Sequence, residues 1–313
     1  MKKFFKIFIL VVAIIFATSC EKKIPVNIPT ASPSGVLYSL GNSIATTWNE
    51  DLKDVRAVSQ GSNGGIENLN LIYAKEAQVS MGVTSVVYQS YMGEGVFEGR
   101  PNKDLRILFG LYYNPNQIVV TKDKGVEKFS DIKKISFAPG AYGSTTVDEF
   151  NAHAKVSGLD PTDFKLQYMG PDEASDLIRN KQLSGVFIMS GVPNSKVMEL
   201  TSTANCTLLS LDEEFLDNLI EAYPWYSKYT IKKGTYEKID RDISTSAIKM
   251  VLYATKDMDD VLAYRLTKSF FENLDELKKS NPSLRDVSIE NAQEDLAGLP
   301  IHDGAMRYYE EVK

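Results

Sequence analysis

Two spacings of apolar residues take turns along nearly the whole chain. Short apolar, β-branched runs begin at Ile24 and recur at residues 55–59, 77–81, 105–111, 117–121, 134–137, 165–168, 185–189, 207–211 and 243–254. Elsewhere apolar residues fall three or four apart, as at Leu37, Leu40, Ile44 and Trp48, or at Ile66, Leu69 and Ile72. The first pattern is that of strands, the second that of helices with one buried face. Further helices are expected at 86–92, 146–156, 174–180, 197–201, 213–222 and 261–277. The stretch Tyr112-Tyr113-Asn114-Pro115-Asn116 reads as a break between two strands. This alternation predicts an α/β fold with parallel strands and crossover helices. No internal repeat, low-complexity tract or long linker interrupts the order. The order suggests two α/β lobes joined by two strands, the chain leaving the first lobe near 111–117 and returning near 243–250.

Three strand-to-helix junctions share one grammar. Thr30-Ala31-Ser32-Pro33-Ser34-Gly35, Gln60-Gly61-Ser62-Asn63-Gly64-Gly65 and Ala138-Pro139-Gly140-Ala141-Tyr142-Gly143-Ser144-Thr145 each follow a strand and open a helical pattern. The first turn of a helix leaves backbone N–H groups unpaired at the positive end of its dipole, so a carboxylate or another anion settles there. Glycine lets backbone and ligand approach closely, and serine, threonine and asparagine add hydrogen bonds. Singly, each junction reads as readily as a capped surface loop. Together they can aim three helix N-termini at one ligand, beyond the carboxyl ends of the strands where open sheets hold their ligands.

The N-terminus carries an address. Lys2, Lys3 and Lys6 form a basic region, residues 7–16 an apolar core too short to span a bilayer, and Ala17-Thr18-Ser19 a cleavage site. Cys20 follows directly, as in a bacterial lipobox whose cysteine is lipid-modified and becomes the mature N-terminus. Residues 1–19 are therefore expected to be a lipoprotein signal peptide, with the domain held outside the cytoplasm on a membrane surface. Net charge is −6 over 313 residues, and the three leader lysines account for part of the positive charge. An acidic chain without long basic runs argues against nucleic acid and leaves any anionic ligand to local groups. The second cysteine, Cys206, has no partner once Cys20 is acylated and reads as a small buried residue at a strand start.

Enzyme signatures are few. The two histidines, His153 and His302, form no closely spaced metal pair, and no P-loop or Gly-x-Ser-x-Gly elbow occurs. No cofactor and no metal are expected, although a carboxylate pair distant in sequence stays open as the basis of a two-lobed enzyme acting on a small anion.

An ordered set of segments resembles one family. These are Ser34-Gly35-Val36-Leu37-Tyr38-Ser39-Leu40-Gly41, Gly61-Ser62-Asn63-Gly64-Gly65-Ile66-Glu67-Asn68-Leu69, Glu76-Ala77-Gln78, Ala138-Pro139-Gly140 with Gly143-Ser144-Thr145, and Pro193. Tyr223-Pro224-Trp225-Tyr226, Lys232-Lys233-Gly234-Thr235-Tyr236, Phe270-Phe271-Glu272-Asn273-Leu274 and Leu299-Pro300-Ile301-His302-Asp303-Gly304-Ala305-Met306-Arg307-Tyr308-Tyr309 continue it. Together they look like the TAXI-type solute receptors of TRAP transporters, over nearly the whole chain after the leader. The resemblance implies a two-lobed type II periplasmic-binding-protein fold, with lobe 1 at 20–115 and 246–313 and lobe 2 at 116–245. It also implies capture of a small organic acid, of the dicarboxylate or acidic amino acid class, and delivery to membrane subunits driven by an ion gradient. A receptor serving an ATP-driven importer or a sensor kinase is the neighbouring alternative.

The positions singled out for the ligand are Ser34, Gly35 and Tyr38 from the first loop, Ser62 and Asn63 from the second, and Gln78 and Thr84 at the next strand end. Gly143, Ser144 and Thr145 are added from the second lobe, with Asn114 at the crossing. Backbone N–H groups and hydroxyls would grip carboxylate oxygens, Tyr38 would close over the aliphatic part, and Gln78 or Asn114 would read a second polar group. Tyr38 reads also as buried structure, Gln78 as a partner of backbone groups and Thr84 as a helix cap. The Tyr223–Tyr226 aromatics read first as lobe packing.

Overall fold

A computed structural model describes residues 23–33 and 36–313; the leader, Cys20, Ser34 and Gly35 lie outside the described residues. In chain order the first elements are β1 (Ile24–Pro29), α1 (Val36–Asp51), β2 (Val55–Gln60), α2 (Gly65–Tyr73), β3 (Ser80–Val83), α3 (Thr84–Met92) and the long β4 (Leu105–Thr121). Then come β5 (Ser136–Ala138), α4 (Thr145–Val156), β6 (Lys165–Leu166), α5 (Pro171–Arg179), β7 (Gly185–Met189), α6 (Ser195–Thr203), β8 (Cys206–Leu208), α7 (Glu213–Ala222) and β9 (Tyr226–Ile231). The chain returns through β10 (Ile243–Thr255) and closes with α8 (Asp260–Glu272), α9 (Leu274–Ser280) and α10 (Asp303–Glu311).

Everything hangs on β4 and β10. They pair antiparallel from Leu105↔Thr255 to Pro115↔Ala247. At Asn116, β4 changes partner and runs against β7, from Asn116↔Met189 to Val120↔Gly185. β10 does the same in reverse, pairing Ile243–Ile248 with β9 and Met250–Tyr253 with β3. Each long strand therefore belongs to two lobes. The expected break at Tyr112–Asn116 is absent because both flanks of Pro115 stay paired, so one strand carries the chain across. The sheet is mixed rather than parallel. β1 and β2, and β5 with β6 and β7, are parallel, while β4 and β10 run antiparallel to all their partners because they lead out and back.

Each lobe has its own core. In lobe 1, α1 turns Leu40, Ile44 and Trp48, spaced by four, onto the β1–β2 face with Val26, Ile28, Phe109 and Phe270. Trp48 is wholly buried and its indole N–H donates to the Leu266 carbonyl at 3.0 Å. Removing such a ring costs about 3–5 kcal/mol, so α8 is fixed against α1. In lobe 2, Phe129, Phe137, Phe150 and Phe187 pack on one side of the sheet, and Val186, Ile188, Leu200 and Tyr236 on the other. Other expectations shift locally. The strand expected at 77–81 forms at Ser80–Val83, the helix expected at 261–277 divides at Asn273, and β9 follows the aromatic stretch as an unanticipated strand. Cys206 opens β8 fully buried, and burial pushes its thiol up to about 11. His302 caps α10, its Nδ1 accepting from the Gly304 N–H at 3.2 Å. Among the described residues no helix is long and apolar enough to cross a membrane.

Candidate functional site

The two lobes leave a cleft of about 880 Å³ between them. Its lobe 1 wall is the carboxyl end of β3 (Met81, Gly82, Val83), the N-terminal turn of α3 (Ser85, Val86) and the start of α2 (Asn63, Gly65, Ile66). Its lobe 2 wall is α4 from its N-cap onward (Gly143, Ser144, Thr145, Asp148, Glu149, Asn151, Ala152, Lys155), with Met189 from β7 and Tyr223, Trp225 and Tyr226 from the head of β9. Asn114 and Met250 of the long strands form the floor. The chain reaches these positions because strands end there and helices begin there. At Gly143 φ is +76°, and at Gly64 it is +101°, conformations that a side chain makes costly.

Among the described residues three helix N-termini therefore face one space, none with a side-chain cap hydrogen bond, and the polar groups around them are paired differently. At α2 the Glu67 carboxylate folds back: Asn63 N and Nδ2 donate to its Oε2 at 2.8 and 2.6 Å. Ser62 Oγ meanwhile donates to Asn68 Oδ1 at 2.6 Å, and Asn68 Nδ2 to the Thr30 carbonyl at 2.8 Å, tying the first loop to the second. At α4 the N-cap is Ser144, whose hydroxyl caps nothing. At α3 the N-cap is Val83, which has no side-chain acceptor to offer.

Unpaired polar atoms collect in this cleft. The Ser85 and Ser144 hydroxyls and Asn151 Oδ1 are buried and have no hydrogen-bond partner among the described residues. Leaving a buried polar group unsatisfied costs about 1–3 kcal/mol, so such groups are rare unless something else completes them. Ser85 lies in lobe 1 and Ser144 and Asn151 in lobe 2, and all three line the same space.

The charged lining is Asp148, Glu149 and Lys155, all from α4. Glu149 is 2% exposed. Burial pushes its carboxyl up to about 7, against the opposing hydrogen bonds from Tyr226 and Asn116. Asn116 Nδ2 donates to Glu149 Oε2 at 3.1 Å and to Ser246 Oγ at 2.9 Å. Ser246 Oγ in turn meets His153 Nε2 at 2.7 Å, and burial lowers that imidazole to about 4, so it is neutral. Asp148 is likewise raised by desolvation. An aromatic wall completes the site: Trp225 lies 5.5 Å from Tyr88 and 5.1 Å from Tyr223, ring centre to ring centre.

Of the positions singled out from sequence, the fold brings Asn63, Asn114, Gly143, Ser144 and Thr145 to the cleft wall. Others serve the frame. Gln78 Oε1 accepts from the Asn27 N–H at 2.8 Å, bracing β1. Thr84 Oγ1, fully buried, accepts from the Lys249 N–H at 3.2 Å and donates to the Trp225 carbonyl at 3.1 Å. The Ser62 hydroxyl is spent on Asn68, and Tyr38 is half-buried outside the lining, where its neighbour Leu37 stands instead. Ser85, Asp148, Glu149 and Asn151 were not singled out from sequence, and Tyr223, Trp225 and Tyr226, read first as lobe packing, also line the cleft. For the α4 residues a signal existed, because Ser144, Asp148 and Asn151 lie three or four apart on one helical face that also carries acids.

Two lobes on two exchanged strands, with helix N-termini facing a common cleft, define a type II periplasmic-binding-protein fold. Residues 28–312 match the NMT1-like family, and the chain belongs to it. Among solved structures it is similar to a TctC solute binding protein from Polaromonas, with 18% identity, a TM-score of 0.54, and 84% of this chain and 86% of that chain covered. It is also similar to the periplasmic aliphatic sulphonate binding protein SsuA from Escherichia coli, at 12% identity and a TM-score of 0.50 over 91% of this chain and 78% of that one. A putative sulfonate-binding SsuA from Methylobacillus flagellatus KT shares 12% identity and a TM-score of 0.52, over 88% and 76%. At these identities the likeness is one of fold.

Proposed function

We propose that this chain is an extracytoplasmic solute receptor of a transport system, not an enzyme. It takes a small organic acid between its lobes and hands it to membrane subunits. The observation that supports this best is the set of unpartnered buried polar atoms, Ser85 Oγ, Ser144 Oγ and Asn151 Oδ1, contributed from both sides of one cleft. A solute carboxylate at the open N-termini of α3 and α4 accepts from the two hydroxyls and from first-turn N–H groups. Its apolar body lies against Trp225, Tyr223 and Met189. Closure about Asn116 and Ile248 then traps it, a hinge motion that needs only a few residues to change conformation. The resemblance to TAXI receptors makes the membrane partner an ion-driven TRAP transporter. Cys20 anchors the protein by lipid to a bacterial membrane, and Cys20→Ser is expected to release it from the membrane fraction; retention there would place the anchor elsewhere.

The receptor is tested by a thermal-shift screen of the chain after Cys20 against dicarboxylates, acidic amino acids, monocarboxylates, aliphatic sulfonates and neutral controls. The sulfonates are included because two structural neighbours carry that description. A solute at a hundred times its dissociation constant stabilises by about 2.7 kcal/mol. A shift with one acid class and no chemical conversion supports the receptor. Turnover of the solute, or no shift with any acid by a preparation shown by mass spectrometry to be ligand-free, rejects it.

A further inference from the structure

We propose that Glu149 makes this receptor bind its acid together with a proton, the protonated Glu149 carboxyl donating a hydrogen bond to the solute's carboxylate. This rests on the receptor reading above and goes beyond it, because it assigns a proton as second ligand and names the group that holds it.

Placement is the first ground. Glu149 sits just over one turn inside α4 from the N-cap Ser144, lines the cleft, and is nearly sealed from water. An anion seated at the α4 N-terminus therefore has this carboxyl as a wall of its site, with little water between to screen two like charges.

The surroundings are the second ground. From β4, Asn116 presents an amide nitrogen to Glu149; from β9, Tyr226 presents a hydroxyl that burial keeps neutral; from β10, Ser246 is spent on Asn116 and His153. On α4 itself His153 stays neutral and Asp148 is a further carboxylate, while α7 faces this region with apolar Phe215 and Leu219. Among the described residues Lys155 is the one cation in the lining, against two carboxylates. Adding a solute carboxylate without protons would put three negative charges into a cleft lined by one lysine among the described residues.

Burial already holds the Glu149 proton to about neutral pH in the empty cleft. An arriving anion raises that affinity further and draws the proton from solvent. Nothing is oxidised and no covalent bond to carbon changes. One proton moves from water to Glu149, which then shares it with the solute.

The experiment is calorimetry at pH 7.5 in buffers of different ionisation enthalpy, on wild-type protein and Glu149→Gln, using the carboxylate with the largest melting shift in the screen. Wild type is expected to take up between about half and about three-quarters of a proton per solute at this pH, and to lose affinity by roughly tenfold per pH unit on the alkaline side. Glu149→Gln is expected to take up almost none, with affinity nearly independent of pH. An infrared difference spectrum of wild type alone should gain a protonated-carboxyl stretch on binding, which keeps the test open if the variant does not fold. Carboxylate binding without proton uptake, or uptake unchanged in Glu149→Gln, overturns the proposal while leaving the receptor standing. Tight binding of a cationic amine with proton release also overturns it. Failure of every carboxylate to bind removes the anionic receptor reading itself, and this proposal with it.

Discussion

The loop before α2 and the loop before α4 are built from the same parts: a strand end, a glycine with positive φ, a serine, and a helix N-terminus aimed at the cleft. They have been finished differently. Before α2, Glu67 supplies the anion and Asn68 takes the serine hydroxyl, so the polar groups of that loop are paired within the chain. Before α4, the Ser144 hydroxyl and, further along, Asn151 Oδ1 are buried and have no partner among the described residues. Side chains already paired with one another gain little from a solute oxygen, whereas buried polar atoms without partners exchange a standing desolvation cost for a hydrogen bond. On the receptor reading proposed above, the difference favours the α3 and α4 termini for the anion and leaves the α2 loop as a fixed rim.

The sharpest way to break that contrast is to remove both open hydroxyls. Ser85→Ala with Ser144→Ala is expected to weaken binding of the screened acid by on the order of a hundredfold or more, at about 1.5–3 kcal/mol for each hydrogen bond to a charged group. The same change should leave the melting temperature of the empty protein level or slightly higher, since it deletes hydroxyls that have no partner among the described residues. Calorimetry and a melting curve read both halves. Equal affinity would move the anion elsewhere, and a large loss of stability would make these serines structural.

The second test uses pH. Glu149 is raised from 4.5 to about 7 in the fold, so its contribution is full below 4.5 and is lost as pH rises through 7. His153 is lowered from 6.5 to about 4, so its contribution is full above 6.5 and is lost as pH falls through 4. Between 4.5 and 6.5 the two slopes oppose each other. Glu149→Gln removes one of them. The empty variant should be more stable than wild type at pH 8 by on the order of 3 kcal/mol, and should lose that advantage as pH falls toward 4.5. Denaturant melts at several pH values measure it. A difference that does not change with pH would show that the carboxyl is not buried as described.

How much of this was legible in the residues depends on scale. The alternation of apolar spacing carries the α/β architecture, and the strand-to-helix loops carry Asn63, Gly143, Ser144 and Thr145 to the cleft. Pairing across the sheet is not a local property. Pro115 within a polar, aromatic stretch looks like a break, and only its flanking partners β10 and β7 keep β4 whole. Side-chain partners are equally non-local: nothing near Ser62 says that its hydroxyl belongs to Asn68, and nothing near Gln78 names Asn27, 51 residues earlier. Glu149 looks like any acid on an amphipathic helix until α7, β9 and the two crossing strands cover it.

The smallest effect sharpens the comparison most, because it acts on the loop before α2 alone. Glu67→Ala deletes the carboxylate that holds Asn63 and frees the backbone N–H and side-chain amide of that residue beside α2. If the α2 loop is only a rim, affinity for the acid should stay within about threefold of wild type, since a half-exposed pairing of this kind is worth roughly 0–1 kcal/mol. The shift should be toward tighter binding, because one negative charge beside the cleft has gone and N–H groups have become available. A tenfold loss would mean that Asn63 touches the solute and needs Glu67 to orient it, which would return the second loop to the binding site. The two outcomes lie on opposite sides of wild type, so calorimetry on this one variant decides which helix terminus the solute meets.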